Sequence, residues 1–358
     1  MFSHESLKNF CIETFLKIGC PPDHAEMAAD VLISADLRGV DSHGVLKLPG
    51  YVRLWEVGRV NTKPNIKIVH ETPSTASVDG DRGLGLVVAP LVMKMALEKA
   101  EAVGSGWMSV KNSNHFGIAG YHAMMALKHD MVGIAMTNAS PHAAPTFSAE
   151  RLLGTNPISV AIPAGQEPPF VADFATTTVA HGKLVLRQRK GESLPSGWAQ
   201  DADGKPTINA FTTHEGGALV PLGSDRERGS QKGYCLGAIV DIFSAMLSGA
   251  NYGPWVPPFP AHLPIPEDSV GEGIGHFLGA FRIDAFRPAE EFKAHMDTWI
   301  RRFRDAKPAE GHDRVYIPGD PEREMAEKRK AEGIPLMDSV VKDLNELAEK
   351  LGIKFPSS

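Results

Sequence analysis

The sequence predicts a mixed α/β fold. It divides into a small N-terminal helical domain over residues 1–75, a larger α/β domain over 76–285 on which that domain packs, and C-terminal helices over 286–358 that pack back on the helical domain. Three observations carry this expectation. Apolar residues recur at helical spacing from Ser6 to about Val57. Between Gly106 and Met136 a short apolar run, a polar loop, a helical stretch and a second apolar run follow one another, the order of an α/β unit. From Ala289 onward the pattern is charged and helical.

Taken in order, Leu7, Phe10, Ile12 and Phe15 mark a first helix, and Ala28, Val31, Leu32 and Ala35 a second. Pro21-Pro22 separates them, with Pro22 suited to the first turn of the second. Proline and threonine from Thr62 to Pro73 mark a linker or edge segment. Short strands are expected at Ile66–Val69 and Ala76–Asp79, then a long amphipathic helix from about Leu86 to Val103. Gly106–Val110 is strand-like and empties into Lys111–Asn114, followed by a helix over about Ile118–Lys128 and a strand at Met131–Met136. Ligands tend to bind in loops at that carboxyl edge of a strand. Arg189–Asn209, rich in Gly, Ser, Pro and Asp, is expected as a surface excursion. Lys232–Ser248 gives a mostly apolar helix, Pro254–Pro266 a loop with Trp255 and Phe259 as interface anchors, and Gly275–Ile283 a strand. Helices over Ala289–Lys307 and Glu322–Leu351 close the chain.

Composition narrows the function. With 358 residues, 42% hydrophobic and 22% charged, the chain has the make-up of a water-soluble protein with a large core. Its net charge of −6 and scattered cations give little support to nucleic-acid binding. Neither Leu84–Leu97 nor Leu236–Leu247 approaches the roughly 20 apolar residues that span a bilayer, so no membrane association is expected. The opening residues, Met1-Phe2-Ser3-His4-Glu5-Ser6, lack the charged head and apolar run of an export signal. Cys11, Cys20 and Cys235 form no C-x-x-C pair and fit a reducing cytoplasm. No His/Cys/Asp spacing supports a metal.

The segment from Asp36 to Lys47 is the most informative in the chain: it places a hydroxyl, an imidazole and a cation within six residues where a helix should begin. Asp41 or Ser42 reads as the N-cap, and in a continuing helix His43 and Lys47 share one face. A proton carrier beside a positive charge suits a small substrate with a hydroxyl or carbonyl next to a carboxylate. From spacing alone, an interhelical turn whose polar groups cap backbone accounts for the segment equally well.

A phosphate-binding G-x-G-x-x-G after a strand is absent, since Gly80-Asp81-Arg82-Gly83-Leu84-Gly85 has its glycines in another order. His115-Phe116-Gly117-Ile118-Ala119-Gly120 offers small residues at a helix start, where free N–H groups and the helix dipole attract a pyrophosphate. The same residues also suit plain close packing.

The segment Asp36–Lys47, together with Asn112–Gly117, Thr137–Pro141, Leu153–Pro157, Asp173–Thr176, Lys232–Tyr234 and Ile317–Asp320, resembles the malate/L-lactate dehydrogenase family over roughly residues 3–350. The resemblance implies a non-Rossmann, homodimeric NAD(P)-dependent oxidoreductase acting on a small carboxylate substrate, a 2-hydroxy or 2-oxo acid of malate or lactate type. Within the family the alternative is reduction of a cyclic imino acid or a diketo sugar acid; outside enzymes, it is a catalytically lapsed ligand-binding protein. The cofactor contacts it implies are His115, Phe116, Gly117, Ile118 and Ala119; Asn138 and Ala139; Asp173, Phe174 and Ala175; Gln231 and Lys232; and Ile317, Pro318, Gly319 and Asp320. NAD is the expected coenzyme, with NADP the alternative, because no ribose-reading acid of a Rossmann fingerprint is present to inspect.

The resemblance also implies the catalytic groups. The residue matching His43 is the proton donor of the imine-reducing branch, with that matching Ser42 in relay, whereas the ureidoglycolate branch names the residue matching His115. His43 with Ser42 is the first choice here and His115 the second. Lys47, Thr155, His181 and Gly182 are expected to contact substrate. Lys47 and His181 depart from the arginines common in the family, and a lysine offers one mobile charge in place of a bidentate fork. Lys183 follows the malate/lactate pattern, against the aspartate of the imine-reducing branch. His142, His214 and His276 are expected to be loop or packing residues.

Overall fold

The computed structural model describes residues 1–357, apart from the Arg189 side chain. Ser3 opens helix α1 (His4–Lys17) by accepting the Ser6 N–H at 3.1 Å. Pro22 takes the first position of α2 (Pro22–Leu37), where a missing N–H costs nothing. Leu7, Phe10 and Phe15 of α1, Val31 and Leu32 of α2, and Tyr51 and Val52 of α3 (Leu48–Glu56) share one dry core.

Strands β1 (Lys67–Glu71) and β2 (Thr75–Asp79) lead to α4 (Gly85–Val103), which stops at the left-handed Gly104. After β3 (Ser105–Ser113) come α5 (Ala119–Met124), β4 (Met131–Thr137), β5 (Ile158–Ile162), β6 (Phe170–Phe174) and α6 (His181–Lys190). A small sheet of β7 (Ala199–Gln200), β8 (Pro206–Thr207) and β9 (Ala218–Leu219) precedes α7 (Ser230–Asp241), whose coils widen into a π turn at Ile242–Met246. Then follow β10 (Ile274–Arg282), α8 (Ala289–Arg304), α9 (Asp320–Glu332) and α10 (Asp338–Leu351).

The main sheet has seven strands in the order β1-β2-β3-β10-β4-β5-β6. Within it β2 and β3 run parallel and the other pairs antiparallel, so the sheet is not the parallel one of a Rossmann domain. Strand β10, more than 130 residues from β4, slots between β3 and β4 and places His276 opposite Thr137 and Val110. α4 covers one face through Val88, Val92, Met93 and Ala96, packed with Met108, Val110 and Leu278. Of the C-terminal helices, α10 joins the helical core through Val340, Leu344 and Leu347. α8 instead lies at the sheet edge, where Trp299 meets Phe170 and Asp297 accepts the Gly165, Gln166 and Glu167 N–H groups.

The mixed α/β class matches the expectation, and several elements correct it. No single helix carries His43 and Lys47: two 3-10 turns, Asp41–His43 and Val45–Lys47, meet at Gly44, and α3 begins only at Leu48. Neither Asp41 nor Ser42 caps a helix, because Arg329 and His43 take their side chains. The segment 322–351 is two helices, broken where Gly333 turns left-handed and Ile334 pairs with Phe2. Helix α5 covers six residues before tightening to 3-10 geometry over Met125–His129. β6 and α6 have no counterpart in the periodicity reading: β6 is short and mixed in burial, and α6 starts at a histidine and a glycine.

Candidate active site

Asp36 holds the Ser42–Lys47 segment from below. Its buried carboxylate accepts the Val45 N–H at 2.8 Å, and Gly44 leaves the room it needs, since a Cβ there would lie 1.9 Å from Oδ1. Arg329 of α9 reaches the Asp36 carbonyl and the Asp41 carboxylate from the other side. Burial raises the Asp36 carboxyl to about 8, against the pull of the Val45 N–H. The folded chain therefore holds a proton that the unfolded chain releases, so stability falls as pH rises from 3.8 to about 8. Asp36→Asn keeps an acceptor and removes that slope, whereas Asp36→Ala orphans a buried N–H and costs about 1–3 kcal/mol. Urea unfolding at pH 5 and pH 8 checks both; an unchanged slope in Asp36→Asn would rule out this carboxyl as its source.

Above this floor, Ser42 Oγ lies 2.8 Å from His43 Nδ1. The His43 ring stacks 5.4 Å from His115, at 20° between planes. His115 Nδ1 receives the Gly117 N–H at 3.3 Å and lies 2.6 Å from Tyr51 Oη. With an N–H donated to Nδ1, the neutral His115 ring carries its own proton on Nε2 and offers a donor there, not a base. Ser42 can donate or accept, so His43 is not tied to one tautomer. Phe259 closes this side, 5.2 Å from Tyr51 and 5.0 Å from His115. The Lys47 ammonium sits 4.8 Å over the same Phe259 ring. Phe259 is thus part of the wall around these rings, a place its expected use as an interface anchor does not foresee.

Burial lowers the Lys47 pKa. Burial and then the Lys47 charge lower His43 to about 4. His115 falls well below its ordinary range through burial, then the charges of His43, Lys47 and His276. Neutral imidazoles beside a buried cation form a place prepared for an anion.

His181 opens α6, and Gly182 brings that helix against the Ser42–Lys47 segment, with a Cβ at Gly182 falling 3.3 Å from Ser42 Cβ. His181 stacks on His142 at 4.5 Å. Thr155 is half-buried in the turn before β5, where its carbonyl accepts the Thr176 N–H at 2.9 Å. Asn156 behind it, buried at φ +36°, accepts the Ala139 N–H and donates to the Gly237 carbonyl, fixing the turn.

Of the expected cofactor residues, Asp173 and Phe174 end the edge strand β6, which forms a wall with the start of α5 and the turn at Pro318. Asp173 accepts the Gly120 N–H at 2.7 Å, an approach that leaves no room for a Cβ at Gly120. That bond corrects the expectation of a phosphate at this helix start: α5 has six residues, and an Asp carboxylate already occupies its N–H. Asp173 is raised to about 6, burial outweighing the Gly120 N–H and the Arg38 charge. Phe174 beside it is 41% exposed, an aromatic surface open at the wall. The Ile317–Asp320 loop docks through the Val171 N–H to the Pro318 carbonyl at 3.0 Å. Asp320 itself is committed to Arg304, Arg323 and the Ile317 N–H. The buried Asn138 side chain serves the scaffold, bonding Asp241, the Asn251 carbonyl and the Gly275 N–H. Gln231 and Lys232 lie on the first turn of α7, with Lys232 exposed, and Gly237 one turn further on touches Thr176.

Residues 2–345 match the malate/L-lactate dehydrogenase family. The chain belongs to that family. It is 42% identical over 351 residues to a malate dehydrogenase of Pyrococcus abyssi, covering 98% of this chain and 94% of the relative. It is 38% identical to an L-sulfolactate dehydrogenase of Methanocaldococcus jannaschii, covering 98% and 97%. The crystal structure of malate dehydrogenase from Entamoeba histolytica superposes with a TM-score of 0.92 at 34% identity, covering 99% of both chains.

Ser42, His43, Lys47 and His115, expected from the sequence as site residues, lie together in the fold, and Tyr51, Phe259, His142, Asp36 and Arg329 join their surroundings. Tyr51 carried a signal, four residues beyond Lys47 in the same apolar helix start. Asp36 also stood within the segment singled out. Phe259, His142 and Arg329 carried none, since only the fold brings them near. His276 is the packing residue expected, bonded to Thr137 at 2.7 Å and Ser113 at 2.8 Å; His142 lies in the loop after β4, stacked on His181, and His214 in a 3-10 turn.

Proposed function

We propose that this protein interconverts a 2-hydroxy acid and the matching 2-oxo acid with a nicotinamide coenzyme. The observation that carries the reading is the cluster of Ser42-linked His43, Tyr51-linked His115 and buried Lys47 in one family-matched cleft. The open Phe174 ring and the docked Ile317–Asp320 loop fit a flat, extended dinucleotide. When bound, the nicotinamide supplies the hydride acceptor or donor. The protein's own residues do the rest. Lys47 takes the substrate carboxylate as a point charge. His115 donates its Nε2 proton as a hydrogen bond to the substrate oxygen. His43, relayed through Ser42, accepts the hydroxyl proton in oxidation and returns it in reduction. Burial is the larger cause of the low His43 pKa and the Lys47 charge the smaller; a carboxylate against Lys47 offsets the second and so favours the protonated ring.

Spectrophotometry of NADH and NADPH oxidation against oxaloacetate, pyruvate, other 2-oxo acids, 2,3-diketogulonate and a cyclic imino acid tests the reading. Turnover with a 2-oxo acid supports it; turnover with the imine alone, or none at all with coenzyme bound, overturns it.

We assign NAD over NADP because Asp173 and Glu322 both act on Arg38 at the coenzyme wall, where carboxylates accept ribose hydroxyls and repel an added phosphate. Asp173→Asn is expected to weaken NADH binding about tenfold and narrow the preference over NADPH. Fluorescence titration measures both; an unaltered preference removes Asp173 from coenzyme selection.

We further propose a homodimer in the cytoplasm. Ile239, Ile242, Phe243 and Met246, each 39–52% exposed, form a stripe along α7 and its π turn that a second copy would cover. Cys11, Cys20 and Cys235 are free thiols, in keeping with a reducing compartment. A monomer by sedimentation would refute the dimer.

A further inference from the structure

Lys47 carries one ammonium on a stem of four rotatable bonds, where an arginine would bring a planar fork. Among the described residues no carboxylate, carbonyl or hydroxyl holds that ammonium; the Phe259 ring lies 4.8 Å from it. The ring itself is fixed from several sides. Its backbone lies between Pro258 and Pro260, and a residue that precedes proline, as Phe259 does, is confined to extended conformations. Arg59, just past α3, ties this proline-rich strap on both sides of the ring, donating Nη1 to the Pro258 carbonyl at 3.3 Å and Nη2 to the Leu263 carbonyl at 2.5 Å. Tyr51 meets the ring at 80° between planes, 5.2 Å between centroids, and His115 tilts against it at 5.0 Å. Gly50 of α3 supplies the slot: a Cβ there would lie 2.6 Å from ring Cε1 and 2.7 Å from Cζ.

We infer that Phe259 is a positioning residue for substrate binding: its ring face holds the Lys47 ammonium where the substrate carboxylate is received, supplying the order that a lysine stem lacks by itself. The inference deepens the carboxylate role proposed for Lys47 and rests on it. An unheld stem samples several rotamers, and the incoming carboxylate would have to freeze it at a cost in affinity. The negative face of an aromatic ring attracts a cation without neutralising it, so the charge stays available to an anion. A carboxylate in the same place would hold Lys47 more tightly and compete with the substrate for it. An aliphatic side chain would fill the slot and leave the ammonium loose. The strap, Arg59 and Gly50 together therefore serve one end, a ring whose face cannot move away from Lys47.

Two variants displace the ring in different ways. Phe259→Leu keeps an apolar side chain and removes the aromatic face; Gly50→Ala leaves both partners intact and pushes the ring from its slot, in a helix that favours alanine. Each is expected to raise KM for oxaloacetate and pyruvate about tenfold, with kcat within about threefold of the parent. On a Lys47→Met background, adding Phe259→Leu should cost less than about twofold, because the ring then has no charge to hold. An equal rise in KM on both backgrounds would mean that the ring only fills space, and overturns the inference. So does a loss confined to kcat, which would make the ring a support of His115. The rate at which acetic anhydride labels Lys47 in the NADH complex, read by peptide mass without substrate, measures the hold independently. It should rise at least about threefold in Phe259→Leu and in Gly50→Ala. An unaltered rate in both overturns the inference. If Lys47→Met leaves KM for every 2-oxo acid unaltered, the carboxylate reading falls by itself, and the labelling rate still decides whether the ring holds the lysine.

Discussion

His43→Ala is expected to lower turnover at least about 100-fold while NADH binds as before, the size of loss that removing a general acid or base produces. The argument rests on the different bonding of the two stacked rings. His115 Nδ1 is occupied by the Gly117 N–H and the Tyr51 hydroxyl, which leaves its Nε2 a fixed donor. His43 Nδ1 meets a rotatable serine hydroxyl, so Nε2 can give or take a proton as Ser42 turns. His43 is not among the proposed coenzyme contacts, so the variant separates chemistry from binding. Stopped-flow turnover with fluorescence titration of NADH measures the two quantities together. Full turnover in His43→Ala with loss in His115→Ala would exchange the roles of the rings.

Lys47→Met should lower kcat/KM for 2-oxo acids about 30- to 1,000-fold, the equivalent of about 2–4 kcal/mol for losing one partner of a buried ion pair. Methionine keeps the stem length and the contact with Phe259, so the change removes charge with little change of shape. A second effect follows from the sign of that charge. The Lys47 ammonium disfavours imidazolium at His43, so removing it raises the His43 pKa. Oxidation needs the neutral ring, hence the acid limb of its pH–rate profile should move to higher pH. A steady-state profile from about pH 5 to about pH 9 shows both effects. A profile that keeps its acid limb, with KM unaltered, would place the carboxylate elsewhere.

The proposed catalytic and substrate residues are legible together where they lie close in the chain. Ser42, His43 and Lys47 fall within six positions, and any compact path of so short a segment leaves them neighbours. Even there the local path was misjudged. Helical spacing pointed to a continuous helix, but Asp36 draws the Val45 N–H inward and Gly44 bends to admit it, giving two 3-10 turns. Propensity is a weak local term, and one buried carboxylate overrode it. The helical N-terminal layer was readable for a different reason: its apolar stripe of Leu7, Phe10, Phe15, Val31 and Leu32 has a period that one core satisfies.

What the sequence by itself determined is therefore the mixed α/β class, the family, and the presence of a proton carrier beside a cation, because periodicity and short-range spacing survive any folding path. Tertiary structure alone decided that β10 enters the sheet between β3 and β4, that Tyr51 and Gly117 settle the proton of His115, that Asp173 occupies the start of α5, and that His142 meets His181. Apart from the neighbouring Gly117, each joins residues far apart in the chain, through hydrogen bonds and burial that exist only once the core has excluded water. Without a core around it, no local pattern distinguishes such a histidine from a surface one.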